Sequence, residues 1–302
     1  MSPSPKEWSR CSGRPALPAF WAGLAAWLVV YGPAAAQAPN PPVEAQFVQV
    51  HPAPKDPGKF VRSANRQRAA VLIHGYWLHF GKGHVGQALF KDWQEKDSTL
   101  VTVLGKESDV FAFAYGQTAP LDEIAHHPSL RDGVARLKQL GYTQVVLVGH
   151  SAGGLIARHF VEDFPRAGVT KVVQVCCPNG GCSFADIKWI PSNQKGFVLS
   201  LSHEGRKSCL LGRAGKKIPP RVQFVCVISP EDHVVPCAFQ WTKDLQDQGI
   251  PAIRCALGHH QVMRKTSSAK ILAEVVRDPQ PRWNAEQVAA ARKDFFPPKK
   301  GE

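Results

Sequence analysis

The hydrophobic residues of the chain form short continuous runs, and these runs are separated by stretches with helical spacing. Unbroken runs rich in β-branched residues predict strands buried on both faces, at residues 69–75, 109–115, 145–148, 171–176, 221–228 and 253–256. Alternating strands and helices are typical of a parallel sheet with right-handed crossovers. The pattern therefore predicts an α/β domain whose central sheet is mostly parallel, with helices on both faces.

Helices are predicted between these runs, together with one edge strand near Phe47 to Val50. The predicted helices cover residues 87–96, 121–140, 152–164, 266–276 and 283–296, and Gly141 ends the second of them. In the third helix, Leu155, Ile156 and Phe160 share one face, while Arg158 and Glu162 point elsewhere. We expect that helix to pack one face on the sheet.

The stretch from Gln144 to Phe164 organises the rest of the chain. It reads as a buried strand, the turn Gly149-His150-Ser151-Ala152-Gly153 and an amphipathic helix. Gly-x-Ser-x-Gly between a strand and a helix is the nucleophile elbow pattern, in which small residues allow a very tight turn. It predicts that Ser151 Oγ projects into solvent and that the Ala152 amide is half of an oxyanion hole. An ordinary βα turn is the alternative interpretation.

Gly149-His150-Ser151-Ala152-Gly153-Gly154 on a buried strand resembles the α/β-hydrolase superfamily, particularly its secreted lipases and esterases. In that family, the residue after a strand-terminal His-Gly supplies the second oxyanion amide. The resemblance implies that the amide of Tyr76, after His74-Gly75, is the second oxyanion donor and that His74 has a structural role. It also implies that Cys177-Pro178-Asn179-Gly180-Gly181, similar to a Thr-Pro-x-x-Gly turn, lies at the edge of the pocket.

The same resemblance implies an acid and a base for Ser151. Asp232 stands after a predicted strand in the frame Asp-x-Val-Val-Pro, and Glu231 is the alternative acid. The family's histidine often follows Gly-x-Gly, which corresponds here to His259, although the first glycine is absent and His260 stays an alternative. The order Ser, Asp, His along the chain matches this fold.

The chain divides into four predicted segments, and the third contains an insertion. Residues 1–38 have basic residues, an apolar run and small residues, which together predict a secretory signal peptide and a secreted or periplasmic protein; an uncleaved anchor is the alternative. A proline-rich lead-in (39–68), a hydrolase domain (69–296) and a basic tail (297–302) follow. Within the domain, residues 177–220 form a lid-like or cap-like insertion with weak periodicity. Its apolar residues Phe184, Ile187, Trp189, Ile190 and Phe197 suit either a greasy substrate or permanent packing on the core.

The charge of the chain indicates which classes of binding partner to expect. The chain has 302 residues, 44% of them hydrophobic, and a formal net charge of +13. Its basic residues are scattered and not interleaved with aromatics, so we expect no nucleic-acid partner but attraction to anionic surfaces such as a cell envelope. The glycine-rich loop 78–84 lacks a P-loop frame, and we expect its aromatic residues to line an acyl pocket. We predict a monomer without cofactor or metal.

Of eight cysteines, Cys11 lies in the predicted signal peptide. Cys226 and Cys255 lie in apolar runs and are interpreted as small buried hydrophobic residues. In an exported protein, Cys176 or Cys177 could pair with Cys182, or Cys182 with Cys209, and the sequence leaves the pairing open.

Together these features predict a serine hydrolase that cleaves small-molecule or lipid carboxylic esters through an acyl-enzyme intermediate. A thioesterase or an amidase of the same fold, or a non-catalytic binding protein, are the alternatives.

Overall fold

The computed structural model describes residues 43–56, 58–77, 85–186 and 192–296. The predicted signal peptide, the loop 78–84, the tail 297–302 and the apolar residues Ile187, Trp189 and Ile190 lie outside the described residues. No helix in the described part of the chain has both the length and the apolarity needed to cross a bilayer.

The centre of the protein is a seven-stranded sheet with the order β1-β3-β2-β4-β5-β6-β7. Its strands are β1 (Ala45–His51), β2 (Arg68–Ile73), β3 (Asp109–Tyr115), β4 (Gln144–His150), β5 (Lys171–Val175), β6 (Gln223–Ile228) and β7 (Ala252–Arg254). β1 runs antiparallel to β3 at one edge, and every other pairing is parallel. The predicted fold class and the predicted edge strand are confirmed. β4, which leads to Ser151, lies between β2 and β5.

Helices cover both faces of the sheet. They are α1 (Thr99–Leu104), α2 (Leu121–Ala125), α3 (Pro128–Gln139), α4 (Ala152–Asp163), α5 (Lys195–Leu199), α6 (His203–Gly212), α7 (Cys237–Gln240), α8 (Lys243–Asp247), α9 (Thr266–Arg277) and α10 (Ala285–Phe295). Residues of α3 and α4 belong to one hydrophobic core, and residues of α1 and α9 belong to a second. Because the strands are apolar on both sides, they require this double cover.

The predicted helix over residues 87–96 is wrong. Only a short 3-10 helix, Asp92–Gln94, forms there, and the real helix is α1. Gln94 is fully buried, and its side-chain amide donates to the carbonyls of Leu72 (2.9 Å) and Phe113 (3.2 Å). These two hydrogen bonds hold the segment against β2 and β3. The spacing of apolar residues in the segment does not reveal them.

The helix predicted over residues 121–140 is two helices, because Pro128 takes the first position of α3. Proline has no N–H and suits the first turn of a helix, where no intrahelical acceptor exists for that N–H. Gly141 follows the end of α3 with a φ of 85°, as its position predicts.

α4 packs one face on the sheet, and its polar face is covered as well. Arg158 and Glu162 are both buried, and Arg158 Nε lies 2.8 Å from Glu162 Oε1. Arg158 also contacts Asp244 of α8 at 2.6 Å, and Arg213, just after α6, contacts Glu162 at 2.9 Å. The polar side of α4 is therefore covered by the insertion and by α8, and its charges are paired within the protein.

The insertion 177–220 contains a 3-10 helix (Ser183–Asp186), α5 and α6. Phe197 and Leu201 are buried in the hydrophobic core that contains residues of α3 and α4, whereas Leu199 and Leu211 are exposed. The insertion is thus packed on the domain, and its movement as a lid stays a prediction.

None of the disulfide pairings that the sequence left open is present: the seven cysteines in the described residues are all free thiols. Cys182 Sγ lies 3.4 Å from the Leu201 carbonyl, and Cys209 Sγ lies 3.7 Å from a ring nitrogen of His159. Cys226 and Cys255 are buried as predicted.

Candidate active site

Ser151 occupies a strained turn between β4 and α4. Its φ of 53° and ψ of −125° are rare for a residue with a side chain. A Cβ on Gly149 would lie 2.4 Å from the Gly153 carbonyl oxygen, and a Cβ on Gly153 would lie 2.3 Å from the Ile73 carbonyl oxygen. The two glycines are therefore required for this close approach of strand, turn and helix, which presents Ser151 at the carboxyl end of β4.

The segment after β2 touches Ser151. A Cβ on Gly75 would lie only 2.6 Å from the Ser151 Cβ, which brings the backbone before Tyr76 against the serine. The amides of Tyr76 and Ala152 donate to no acceptor among the described residues. Two backbone donors beside a serine are the components of an oxyanion hole.

Hydrogen bonds brace this segment. The His74 ring stacks on Tyr115 at a centroid distance of 4.2 Å, and His74 Nδ1 donates to the Gly75 carbonyl at 2.8 Å. Tyr115 Oη donates to the His74 carbonyl at 2.7 Å. Gln117 Oε1 accepts from the Trp77 amide at 3.0 Å. His74 therefore has the structural contacts that the sequence predicts, whereas the part played by Gln117 was missed because it follows a different strand.

Asp232 and His259 meet at the same edge of the sheet, after β6 and β7. His259 Nδ1 lies 2.7 Å from Asp232 Oδ2, in a geometry that donates the ring N–H to the carboxylate. Asp232 Oδ1 accepts from the amides of Val234 (2.8 Å) and Val235 (2.9 Å), and Gln240 Nε2 lies 3.3 Å from Oδ2. These donors compensate the burial of the carboxylate and orient it toward the imidazole.

The alternative acid and base do not come together in this way. Glu231 and His260 are exposed, and the ring that contacts Asp232 belongs to His259. His260 lines the adjoining cavity, where burial, His259 and Arg264 lower its pKa.

His150 links the elbow to the histidine loop. Its Nε2 donates to the backbone carbonyl of His259 at 2.8 Å, and the two rings lie 4.7 Å apart. Burial lowers the pKa of His150 well below its usual value, so the ring is neutral at pH 7. Sequence analysis placed His150 in the elbow but missed this contact, since it spans 109 positions of the chain.

Ser151 and His259 both line a cavity of about 920 Å³. Ser151 is only 6% exposed and faces this cavity. The elbow pattern predicts that its hydroxyl projects into open solvent, and in this respect the prediction differs from the structure. No hydrogen bond joins Ser151 Oγ to His259 among the described residues; in unliganded enzymes such bonds are often long and tighten when substrate binds. The turn at Cys177 is not part of the wall, but Phe184 is.

The rim of this cavity is basic. Arg264 pairs with Asp92 through two contacts of 2.7 and 2.8 Å. Lys91 Nζ lies 3.2 Å from the centroid of the Trp77 ring, and burial, together with Arg264, lowers the pKa of Lys91 to about 7. The cavity therefore combines aromatic surface with a cation whose charge changes near neutral pH.

Three potential metal ligands, Cys176, Asp232 and His259, lie within 4.8 Å of one another. A metal would have to enter between His259 Nδ1 and Asp232 Oδ2, which already contact each other at 2.7 Å. The Cys176 thiol instead contributes to the surroundings of the acid, and burial and Asp232 raise its pKa.

No protein-family model and no curated protein sequence matches the chain. Solved structures do match. The mature lipase BlEst2 of Bacillus licheniformis has a TM-score of 0.56 and 12% identity, over 78% of this chain and 97% of the lipase. Lipase B of Aspergillus fumigatus has a TM-score of 0.54 and 12% identity, over 80% of this chain and 60% of that one. The protein has the α/β-hydrolase fold. In this α/β-hydrolase fold, Ser151, Asp232 and His259 all follow the carboxyl ends of sheet strands, where such folds bind ligands.

Proposed function

We propose that the protein is a serine hydrolase that cleaves carboxylic esters through an acyl-enzyme intermediate. The observation that carries this proposal is the 2.7 Å contact between Asp232 and His259 beside Ser151 in its strained elbow. The unpartnered amides of Tyr76 and Ala152 support the same chemistry, and so does the likeness of the fold to lipases.

In this mechanism His259 Nε2 removes the proton of Ser151 Oγ as the oxygen attacks the acyl carbon. Asp232 holds the ring with Nδ1 protonated and stabilises its positive form. The amides of Tyr76 and Ala152 receive the oxyanion, each contributing about 3 kcal/mol in the transition state. His259 then protonates the departing alcohol, and water releases the acyl group by the reverse steps.

The cavity suggests the substrate class. Its volume of about 920 Å³ is in the range of small-ligand sites, and Tyr76, Trp77 and Phe184 give it an aromatic wall. We propose that the substrate is a small-molecule or lipid ester. We also propose that the enzyme is secreted or periplasmic, because residues 1–38 have the signal peptide pattern.

The decisive experiment compares Ser151→Ala with Ser183→Ala, a control serine that lines the same cavity. We expect Ser151→Ala to lower turnover of a short-chain p-nitrophenyl ester by about 10⁵-fold to 10⁶-fold, and Ser183→Ala to change it by less than about tenfold. A serine-directed phosphonate should add one mass equivalent to Ser151 alone. Retention of more than about a tenth of the activity by Ser151→Ala would refute the serine mechanism.

Matched esters, thioesters and amides with the same acyl group then separate the ester hydrolase from a thioesterase or an amidase. We expect the highest kcat/KM for the ester, and a preference for either other class would replace the ester assignment.

A further inference from the structure

A second cavity of about 430 Å³ lies between α2, α4 and the helices of the insertion. It shares no lining residue with the cavity at Ser151. Asp122 of α2, His159 of α4, and Arg206 and Cys209 of α6 all line it. Four side chains capable of chemistry thus come from three separate helices, and the proposed ester hydrolysis uses none of them.

Three of these side chains form a chain of contacts that ends at a thiol. Asp122 Oδ1 lies 2.7 Å from His159 Nδ1, and His159 Nε2 lies 3.7 Å from Cys209 Sγ. His159 is 1% exposed, and its burial lowers its pKa to about 4. At pH 7 the ring is therefore neutral, and the lone pair of Nε2 faces the thiol. The 2.7 Å approach of Nδ1 to Asp122 lacks hydrogen-bond geometry, so Nδ1 makes no hydrogen bond among the described residues.

Arg206 is a buried cation that forms no ion pair with a carboxylate in the described part of the chain. It is 1% exposed, and its Nε donates to the Asn179 carbonyl at 3.3 Å. Nη1 lies 3.3 Å from Cys209 Sγ and 3.4 Å from His159 Nε2, while Nη2 has no partner among the described residues. A buried charge without a counter-ion is costly, and a thiolate at Cys209 would supply that counter-ion.

The arrangement does not suit a metal, although Asp122, His159 and Cys209 offer ligand atoms within 4.8 Å of one another. The aspartate faces Nδ1 and the cysteine faces Nε2, so one ion cannot take the imidazole and both partners. The guanidinium of Arg206 beside the sulfur would also repel a cation.

We propose that Cys209 is the reactive thiol of a second site, which exchanges with low-molecular-weight disulfides that carry a carboxylate. The Cys209 thiol, which His159 Nε2 orients, loses its proton to water beside the Arg206 guanidinium, and the thiolate attacks one sulfur of the disulfide. The S–S bond of the small molecule breaks, and a mixed disulfide forms at Cys209. The leaving thiolate takes a proton from water and departs as a thiol. Arg206 Nη2 is the unoccupied donor for the carboxylate.

The test uses the full chain and 5,5′-dithiobis(2-nitrobenzoate), a disulfide with two carboxylates, and the modified residues are mapped by mass spectrometry. Cys237 is an internal control, because it is also partly exposed but burial raises its pKa to about 11. We expect Cys209 to react at least about tenfold faster than Cys237. Equal rates at the two cysteines would overturn the proposal.

Asp122→Asn is the informative variant, because Asp122 is half exposed and its replacement is mild. We expect it to slow Cys209 labelling at least about fivefold while the melting temperature stays within a few degrees. An unchanged labelling rate would show that the Asp122–His159 contact does not serve the thiol.

The ligand class is tested with cystamine, a disulfide that carries two amines. Relative to the rates of the two reagents with free cysteine, we expect the dicarboxylate to be favoured at least about tenfold at Cys209. Equal normalised rates would overturn the role of Arg206 in binding. Cys209→Ser should keep full ester hydrolysis, so this site and the proposed serine site can fail independently.

Discussion

Two of the aspartate–histidine pairs in the described residues, at His259 and at His159, share a contact distance but differ in their surroundings, and of these two only the pair at His259 is a hydrogen bond. In each pair a carboxylate lies 2.7 Å from an imidazole Nδ1. Asp232 is buried and accepts two backbone amides, whereas Asp122 is half exposed and its carboxylate also contacts Arg213 at 3.2 Å. The rings differ as well, since His259 opens on the large cavity and His159 is enclosed behind a thiol and an arginine.

The difference shows that the groups around the nucleophile select the chemistry more than the aspartate–histidine pair does. Attack on an ester places negative charge on a carbonyl oxygen, which requires fixed donors such as the amides near Ser151. Thiol–disulfide exchange leaves its charge on sulfur, and the buried cation of Arg206 suits a thiolate. The two proposed nucleophiles are therefore activated differently: His259 takes the proton of Ser151 just before α4, whereas Arg206 stabilises the thiolate of Cys209, which faces the middle of α4.

The sharpest test of this comparison replaces each aspartate by asparagine and measures ester hydrolysis. We expect Asp232→Asn to lower kcat by about 10³-fold to 10⁴-fold, because a neutral amide no longer holds the productive tautomer of His259. Asp122→Asn, the matched control, should stay within about twofold of the original protein, since it touches nothing at Ser151. Similar losses in the two variants would mean that the pairs are not separate.

The sequence was sufficient for the sheet and for the main parts of the first site. Continuous apolar runs predicted the strands, and the bounds of β3 agree with the predicted Asp109–Tyr115. Ser151 and Asp232 were found because each follows a strand in a recognisable frame. The choice between His259 and His260 depends on the path of the loop after β7, which neighbouring residues do not encode.

The second cluster was beyond reach of the sequence, because α2, α4 and α6 meet only in the folded protein. The sequence allowed a disulfide between Cys209 and Cys182 as one of several pairings that it left open. In the structure it faces α4, where His159 and Arg206 surround it. The helix predicted over residues 87–96 failed for a similar reason, since tertiary bonds of Gln94 outweigh local periodicity.

The enclosed ring of His159 gives the second pair a signature in stability. Because its folded pKa of about 4 lies below the unfolded value of about 6.5, the unfolded chain binds the proton more readily between these pH values. Its contribution is therefore complete above about pH 6.5 and is lost as the pH falls toward 4. Asp122 on one side, and Arg206 and Arg213 on the other, are the charged groups that act on this ring.

Between pH 7 and pH 5 we expect the protonation of His159 in the unfolded chain to lower the free energy of unfolding by about 2 kcal/mol. The neutral buried ring of His150 should lower it further for the same reason. Guanidinium titrations at the two pH values measure the change. His159→Gln should remove about half of the difference, whatever its effect at pH 7. A variant with an undiminished difference would show that His159 is protonated in the folded protein.

The smallest expected effect concerns His150, which has no counterpart in the second pair. His150→Leu removes the N–H that holds the His259 carbonyl, so we expect kcat for ester hydrolysis to fall about tenfold with KM little changed. His150→Gln can place an amide N–H near the position of Nε2 and should recover most of the rate. Equal losses in the two variants, at matched melting temperatures, would show that the ring fills space beside Ser151 and that its hydrogen bond does not position the base.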